Sequence, residues 1–380
     1  MNIQNENLYY IGGVVRDEIL NLKSFDIDLT YNGNAIDFAK TIPDAEIIQI
    51  NEPFGTVRIK LDNQEIDIAS TRSEIYPHKG HLPVVDKIGC SLREDVLRRD
   101  FTINAMAKST LTGEIIDYTG GLEDIKMKKL KILHDKSFID DPTRIVRALK
   151  FAVRFGFELD EHTAQLQKKY LENINYDMSY KRLKKELTET FNLNNRKAFE
   201  NFVNQNIYKL VTPQNFNLPE YDFSGLIDKY ILATHPELSP KGQKMFFNIW
   251  IIYVGLLPDI SSLPLTKTEK KIVDEYKKLT ILRFAQNDNV TDFEIYKAFK
   301  YIPIESVIMY STVNHEVVEH YLKDLKDIEV DITGEDLKNL GILPSPKYHE
   351  CFDFILKKKI DNPEIKKSDE TELAKRFFNC

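Results

Sequence analysis

Nine of the fifteen glycines lie in the first 121 residues, and six serve the remaining 259. Glycine marks turns and destabilises helix interiors. The spacing therefore predicts strands and tight turns in the first third and helices after it. Thr56-Val57-Arg58-Ile59-Lys60-Leu61 and Glu65-Ile66-Asp67-Ile68 alternate on either side of Asp62-Asn63-Gln64, which reads as a β-hairpin. Residues 8–11 read as a strand entering Gly12-Gly13, with a helix from Val14 to Leu22. Phe25-Asp26-Ile27-Asp28-Leu29 is a second alternating strand, and Phe101, Ile103 and Ala105 alternate as well. Ser91-Leu92-Arg93-Glu94 has the capping-box pattern that opens a helix. From Asp141 the periods become helical. Pro142 stands at a first helical position behind an aspartate cap, and Ile145, Ala148, Leu149 and Ala152 share one apolar face ending near Gly156. Further helices are expected at 161–173, 179–193, 239–257, 265–282, 292–299 and 315–326. Residues 73–91 hold two prolines and two glycines with no sustained period, and read as a long loop.

Composition narrows the class. A chain of 380 residues is long enough for two to four domains, and 42% hydrophobic content excludes wholesale disorder. No run of eighteen apolar residues occurs, so no membrane partner is expected; the longest apolar stretch, 246–257, reads as a buried helix. Cys90, Cys351 and Cys380 make neither a disulfide framework nor a zinc knuckle. The N-terminal MNIQNENLYYIGG lacks the basic and apolar regions of a secretory signal, and a cytoplasmic location is expected. The net charge of −7 argues against a chain coated in nucleic-acid-binding charge, yet leaves room for a local basic groove.

Three constellations carry chemistry. In the first, Gly12-Gly13 precedes a helix, where backbone N–H groups can approach an anion. Asp26 and Asp28 follow at i and i+2 on a strand, and so share one face while Ile27 and Leu29 face the core. Adjacent carboxylates repel unless a cation lies between them, and hard Mg2+ takes carboxylate and phosphate oxygens together. Such a pair can hold two ions roughly 3.5–4 Å apart for in-line displacement at phosphorus. A solvated strand face with incidental acids is the plainer reading. Asp67 would add a third carboxylate if the hairpin strand lies alongside. The second constellation is Arg98-Arg99-Asp100-Phe101-Thr102-Ile103-Asn104-Ala105, with arginine suited to phosphate and Asp100 and Asn104 to ribose hydroxyls. A helix end with an ion pair explains it equally simply. The third is Asp140-Asp141-Pro142-Thr143-Arg144-Ile145-Val146-Arg147. On a helix Arg144, Arg147 and Arg154 fall within about 80° of one another, opposite the apolar face, and a charged solvated face is the alternative.

Together with the turn Asp117-Tyr118-Thr119-Gly120-Gly121, these segments resemble, in order, the motifs of the bacterial-type (class II) tRNA nucleotidyltransferases and poly(A) polymerases. The resemblance is strong over residues 8–190. It implies an α+β chain: a nucleotidyltransferase-type α/β head (1–140), then an all-helical neck (141–205), body (206–325) and tail (326–380). It implies that Asp26 and Asp28 bind catalytic Mg2+, that Gly12, Gly13 and Arg16 hold the triphosphate, and that Arg99 and Asp100 sense the ribose. Asp141 and Arg144, supported by Arg147, would select the base. Cytosine and adenine both set an exocyclic amine beside a ring-nitrogen acceptor, which a carboxylate and a guanidinium can read. The implied partners are tRNA, with ATP and CTP as substrates, and the implied reaction is template-independent addition of CCA or its terminal A. Residues 73–91 stand where the family's A-addition loop lies, which implies addition of the terminal A, and full CCA addition is the expected product because one enzyme sufficing is the commoner arrangement in the family. A poly(A) polymerase and an inactive RNA-binding protein on the same scaffold are the alternatives. Departures from the family pattern are Asp140 for Glu, Lys181 for Glu and Ser345 for Gly. The segment 333–347 resembles a tail motif of CCA-adding members.

Overall fold

The computed structural model describes residues 3–23, 27–233, 247–281 and 290–379. Packing divides the chain into two units. The first runs to Phe191 and takes in Lys197–Phe216 and Pro258–Pro264; the second comprises Asn192–Arg196, Asn217–Leu257 and the chain from Leu265 onward.

The first unit opens with strand β1 (Leu8–Ile11), helix α1 (Gly13–Ile19), β2 (Asp28–Tyr31), α2 (Ala35–Ala39) and β3 (Glu46–Asn51). The expected hairpin follows as β4 (Thr56–Leu61) and β5 (Gln64–Ser70), paired Leu61↔Gln64 through Thr56↔Ala69. Next come β6 (Arg72–Ile75), β7 (Val84–Ile88), α3 (Leu92–Leu97), β8 (Met106–Ser109) and β9 (Ile115–Asp117). Seven strands form one mixed sheet in the order β3-β4-β5-β2-β1-β8-β9. Within this sheet, among the described residues, β2 and β5 are the one parallel pair, and every other neighbouring pair is antiparallel. The alternation of β4 and β5 puts Val57, Ile59, Ile66 and Ile68 on one face, where they pack with Leu29, Ala35 and Ala39.

Three expectations for this region need correction. Residues 73–91 are not a structureless loop: β6 and β7 pair as an antiparallel ribbon, Arg72↔Ile88 to Ile75↔Val84, with 76–83 as its tip. A register shift between Ser73 and Glu74 breaks the period of two that would have revealed it. Phe101, Ile103 and Ala105 are not a strand. Residues 102–104 form a 3-10 turn whose residues are all buried, and the strand starts at Met106. The expected strand at 25–29 begins at Asp28, and Asp26 lies outside the described residues.

The remainder of this unit is helical: α4 (Gly121–Lys126), the short strand β10 (Lys129–Leu130), α5 (Ser137–Asp140), α6 (Thr143–Phe155), the short strand β11 (Glu158–Leu159), α7 (Glu161–Glu172), α8 (Tyr180–Phe191) and α9 (Arg196–Asn204). α6 stops at Gly156, whose φ of 67° caps it. α6 packs on α8, with Ile145, Ala148 and Leu149 buried on the one and Leu183 and Leu187 on the other.

The α-helices of the second unit, among its described residues, are α10 (Ser224–Ile227), α11 (Ile249–Val254), α12 (Lys267–Ile281), α13 (Asp292–Phe299), α14 (Ile304–Tyr310), α15 (His315–His320), α16 (Gly334–Asn339), α17 (Lys347–Asp361) and α18 (Lys367–Phe378), and no strand occurs among those residues. Within the expected helix 239–257, α11 is entirely buried as its composition requires, and the opening Ser239-Pro240 lies outside the described residues. Thr333 caps α16 through a reciprocal box with Asp336. No described helix is long and apolar enough to cross a membrane.

Candidate active site

The parallel register of β2 and β5 sets Asp28 directly beside Asp67. Asp28 is exposed while Leu29 is buried, so the carboxylate stands on the face away from the core. Arg58, opposite Asp67 on β4, donates from Nε and Nη2 to the two Asp67 oxygens, each at 2.8 Å. Asp28, Asp67 and Thr56 line a cavity of about 360 Å³ whose other wall is Arg72, Arg98 and Arg99. Hard oxygens from two strands beside cationic donors are the donor set that suits Mg2+ and phosphate together. Among the described residues, no three His, Cys, Asp or Glu side chains cluster as a metal site; Asp26 lies outside them.

The same three arginines line a second cavity of about 320 Å³ with Tyr76, Leu82, Pro83, Asp100, Asp141, Arg144 and Arg147. The two cavities therefore form adjoining chambers of one cleft. In the dividing wall, Asp95 of α3 accepts from Arg98 Nε and Nη2 at 3.0 and 2.8 Å and from Arg99 Nη2 at 3.1 Å. Glu74 of β6 accepts from Arg72 Nε and Arg98 Nη1, both at 2.8 Å.

A chain of hydrogen bonds runs behind the second chamber. Arg16 is buried and donates to Asp17 and, at 2.5 Å, to Asn104, with its guanidinium over the Phe155 ring. Asn104 donates to Asp100 at 3.0 Å, and Arg147 reaches Asp100 and then Glu186. Lys150 bridges Glu186 and Glu189. Burial raises the Asp100 carboxyl, but Arg147, Asn104 and Arg144 outweigh it and hold the group well below the usual carboxylate range. Arg147 is raised in turn by Asp100 and Glu186 against its burial.

Asp141 ends α5 and caps the first turn of α6, accepting from the Thr143 N–H and hydroxyl, while Arg182 of α8 holds its other oxygen. Arg144, 4% exposed, donates to the Ser137 hydroxyl at 2.6 Å and to the Tyr76 hydroxyl and Arg98 carbonyl at 3.2 Å each. The solvated-face reading of Arg144 fails on its burial; Arg154 alone of that stripe is largely exposed. Arg182 and Glu186, one turn apart, do not pair with each other; they go to Asp141 and Arg147 respectively.

The ribbon tip meets the neck. Gly80 donates its N–H to the Asp140 carbonyl at 3.0 Å and accepts from the Ser179 N–H at 2.9 Å. A Cβ there would come within 2.8 Å of the Asp177 carbonyl, and φ is +81°, so glycine is required. Lys79 pairs with Asp140 at 2.6 Å, His81 with Asp177 at 3.0 Å, and the His81 carbonyl accepts from Arg182. Asp117, in the turn before α4, accepts four main-chain N–H groups, those of Thr119, Gly120, Gly121 and Leu122.

The structure thus brings Gly12, Arg99, Asp28 and Asp67 to one chamber region and Asp100, Asp141, Arg144 and Arg147 to the other. Arg16 and Asn104 lie behind them. Gly13 opens α1 beside Arg16. Arg72, Glu74, Tyr76 and Asp95 were missed. Only Arg72 carried a usable signal, as a basic residue two positions after the end of β5.

Residues 8–131 match the family described as the poly(A) polymerase head domain. The chain is 31% identical, over 97% of its own length, to an A-adding tRNA nucleotidyltransferase of Geobacter sulfurreducens, of which it covers 45%. The chain is similar to the tRNA nucleotidyltransferase and poly(A) polymerase family. A second relative in this family, the A-adding tRNA nucleotidyltransferase of Halalkalibacterium halodurans, is 29% identical over 98% of this chain and 89% of its own. The chain spans 20% of a third relative, the A-adding enzyme of Aquifex aeolicus, so it covers under half of two of these three relatives. The solved Thermotoga maritima CCA-adding enzyme complexed with tRNA superposes with a TM-score of 0.76 at 25% identity, covering 98% of this chain and 90% of that one. Nucleotidyltransferases of the poly(A) polymerase type generally use a divalent metal ion.

Proposed function

We propose that this chain adds nucleotides to tRNA 3′ ends without a nucleic-acid template, drawing on ATP for the terminal A and on CTP where it also supplies the C residues before it. The reading is carried by the single cleft in which Asp28 and Asp67 face an arginine wall beside a chamber presenting Asp141 and Arg144. Relatives named A-adding at near-complete coverage of this chain favour the terminal A. Full CCA addition is the second reading, supported by the likeness to CCA-adding structures.

Asp26, Asp28 and Asp67 would hold Mg2+. Bound there, Mg2+ supplies charge for the phosphate oxygens and makes the RNA 3′-hydroxyl more acidic. Gly12 and Gly13 leave the backbone open to the triphosphate, and Arg99 reaches it from the shared wall. The 3′ oxygen attacks the α-phosphorus in line; the new O–P bond forms as the bond to the β-phosphate breaks, and pyrophosphate leaves. Asp100 meets the ribose, kept ionised by Arg147, while Arg16 and Asn104 steady it from behind. Asp141 accepts from the exocyclic amine of the base and Arg144 donates to its ring nitrogen. Arg144 retains donors for this, since a guanidinium carries five N–H groups. The head, neck, body and tail boundaries given above divide these tasks, with body and tail taking the tRNA. A poly(A) polymerase would share this site with another product. The carboxylates at Asp28 and Asp67 argue against an inactive binding protein.

The test is incubation of the purified chain with tRNA transcripts ending before CCA, after C and after CC, with products read by mass spectrometry. A single A added to the CC transcript is expected. Long A tails point to the polymerase, and no addition to any transcript defeats the proposal.

A further inference from the structure

The wall between the two chambers holds two carboxylates for which the reaction itself has no use. The Asp95 side chain is completely inaccessible and that of Glu74 is 6% exposed. A carboxylate this deep is retained only when paired and hydrogen-bonded. Here the pairing has an order. Arg72, Glu74, Arg98, Asp95 and Arg99 alternate in sign, each joined to the next by bonds of 2.8 to 3.1 Å. Asp95 also accepts the Arg72 backbone N–H at 3.2 Å, which ties α3 to the start of the ribbon. Burial pushes the Asp95 carboxyl up, but Arg99 and Arg98 outweigh it and keep the group ionised.

Three guanidinium groups against two carboxylates leave one net positive charge, with N–H groups to spare. Arg72 engages only Nε and Nη1, the latter on the Phe54 carbonyl. The Nε of Arg99 is buried without any hydrogen-bond partner. Its Nη1 lies 3.0 Å from where a Cβ on Gly12 would stand, with φ there at +71°, so only glycine leaves it that room. A buried unpaired donor is unfavourable, and it fits a place where a ligand brings the acceptor. All three arginines face both chambers.

Left to themselves, three adjacent arginines would repel and swing toward solvent. Donors fixed in advance hold a developing or bound anion better than donors that must be gathered. We propose that Asp95 and Glu74 are positioning residues that hold Arg72, Arg98 and Arg99 as a preformed clamp on the phosphate chain of the incoming nucleotide. The clamp rests on the function proposed above.

The probe is inorganic tripolyphosphate with Mg2+, titrated into the full chain by calorimetry, alongside steady-state addition of ATP and CTP to tRNA. Glu74→Gln and Asp95→Asn should weaken tripolyphosphate about tenfold or more and raise KM for both nucleotides in step. The change in kcat should be smaller, and the ratio of CTP to UTP use should stay as in the wild type, because neither carboxylate touches Asp141 or Arg144. Glu74→Asp, which keeps the charge, should recover part of the affinity. If Asp95→Asn does not fold, Glu74→Gln decides alone. A folded Glu74→Gln protein with unchanged tripolyphosphate affinity overturns the clamp, as does a loss confined to base choice. Wild-type addition is measured in the same series. A wild type that adds nothing removes the functional reading and the clamp with it; a wild type that adds normally beside an unaffected Glu74→Gln removes the clamp alone.

Discussion

Arg147 of α6 lays both Nε and Nη2 on one oxygen of Asp100, at 2.8 and 2.7 Å. Helix α6, which carries Arg144, is thereby fastened to the segment that carries Asp100. Glu186 takes the remaining side of the guanidinium at 3.0 Å. Arg147→Ala would leave the buried Asp100 carboxylate without its paired guanidinium, while Glu186 keeps Lys150. A loss of about 3 kcal/mol in unfolding free energy is expected, read by urea titration. Combining it with Asp100→Asn should restore part of that loss, because the stranded charge is gone. Strict additivity of the two substitutions would show that the pair is not coupled.

Asp28→Ala and Asp26→Ala should each lower nucleotide addition by roughly 10³-fold or more, about 4 kcal/mol in the barrier, while tRNA binding persists. Leu29 remains in its core position after either change. Addition in magnesium assays and binding by filter retention separate the two effects. Near-normal addition by both variants would show that these carboxylates hold no catalytic metal.

Arg144→Ala should relax base choice. Arg144 would supply half of a two-point contact with the base, and breaking such a contact is worth about 1–3 kcal/mol of discrimination, so UTP and GTP should gain on CTP and ATP by up to about a hundredfold in relative kcat/KM. A parallel fall for all four nucleotides would assign Arg144 to the framework formed with Ser137 and Tyr76.

Removing the ribbon tip, residues 76–83, should abolish terminal A addition and spare any C addition. The tip supplies the Tyr76 hydroxyl to Arg144 and anchors at Asp140 and Ser179. Product length on a transcript ending in CC is the measurement, and full-rate A addition by the shortened chain contradicts this role.

Burial raises the Asp117 carboxyl, but the N–H groups of Leu122, Thr119, Gly121 and Gly120 outweigh it and hold it below its ordinary value. A carboxyl depressed in the folded state contributes stability above its unfolded pKa, about 3.9, and loses it as pH falls through the folded value. Asp117→Asn should therefore cost about 1 kcal/mol at pH 6, with the gap to wild type closing below about pH 4. Urea unfolding at pH 6 and pH 3 tests this; a gap that does not change with pH contradicts it.

Much of this site was legible because it lies on regular elements. The hairpin at 56–70 declared itself by a period of two around a turn, and α6 by its apolar face and its glycine stop. Asp28 was readable from its place between Ile27 and Leu29. Its neighbour Asp67 was readable only as a condition, since parallel pairing of β2 with β5 is a long-range fact that no local pattern encodes. The ribbon was hidden by Pro77, Pro83 and the register shift at Ser73. Phe101, Ile103 and Ala105 mimicked a strand because their intervening residues are buried as well. Asp95 and Glu74 looked like ordinary surface acids, and nothing in one dimension says that three arginines converge on them.

Arg58 gives the carboxylate wall a property of its own. By holding both oxygens of Asp67, it acts as a resident counter-ion on the neighbouring strand. Like charges on β2 and β5 therefore need no borrowed cation for the sheet to close. A divalent ion held by Asp67 would have to compete with the Arg58 guanidinium for the same oxygens. The affinity of any ion held there would thus be set partly by a residue that would never touch it.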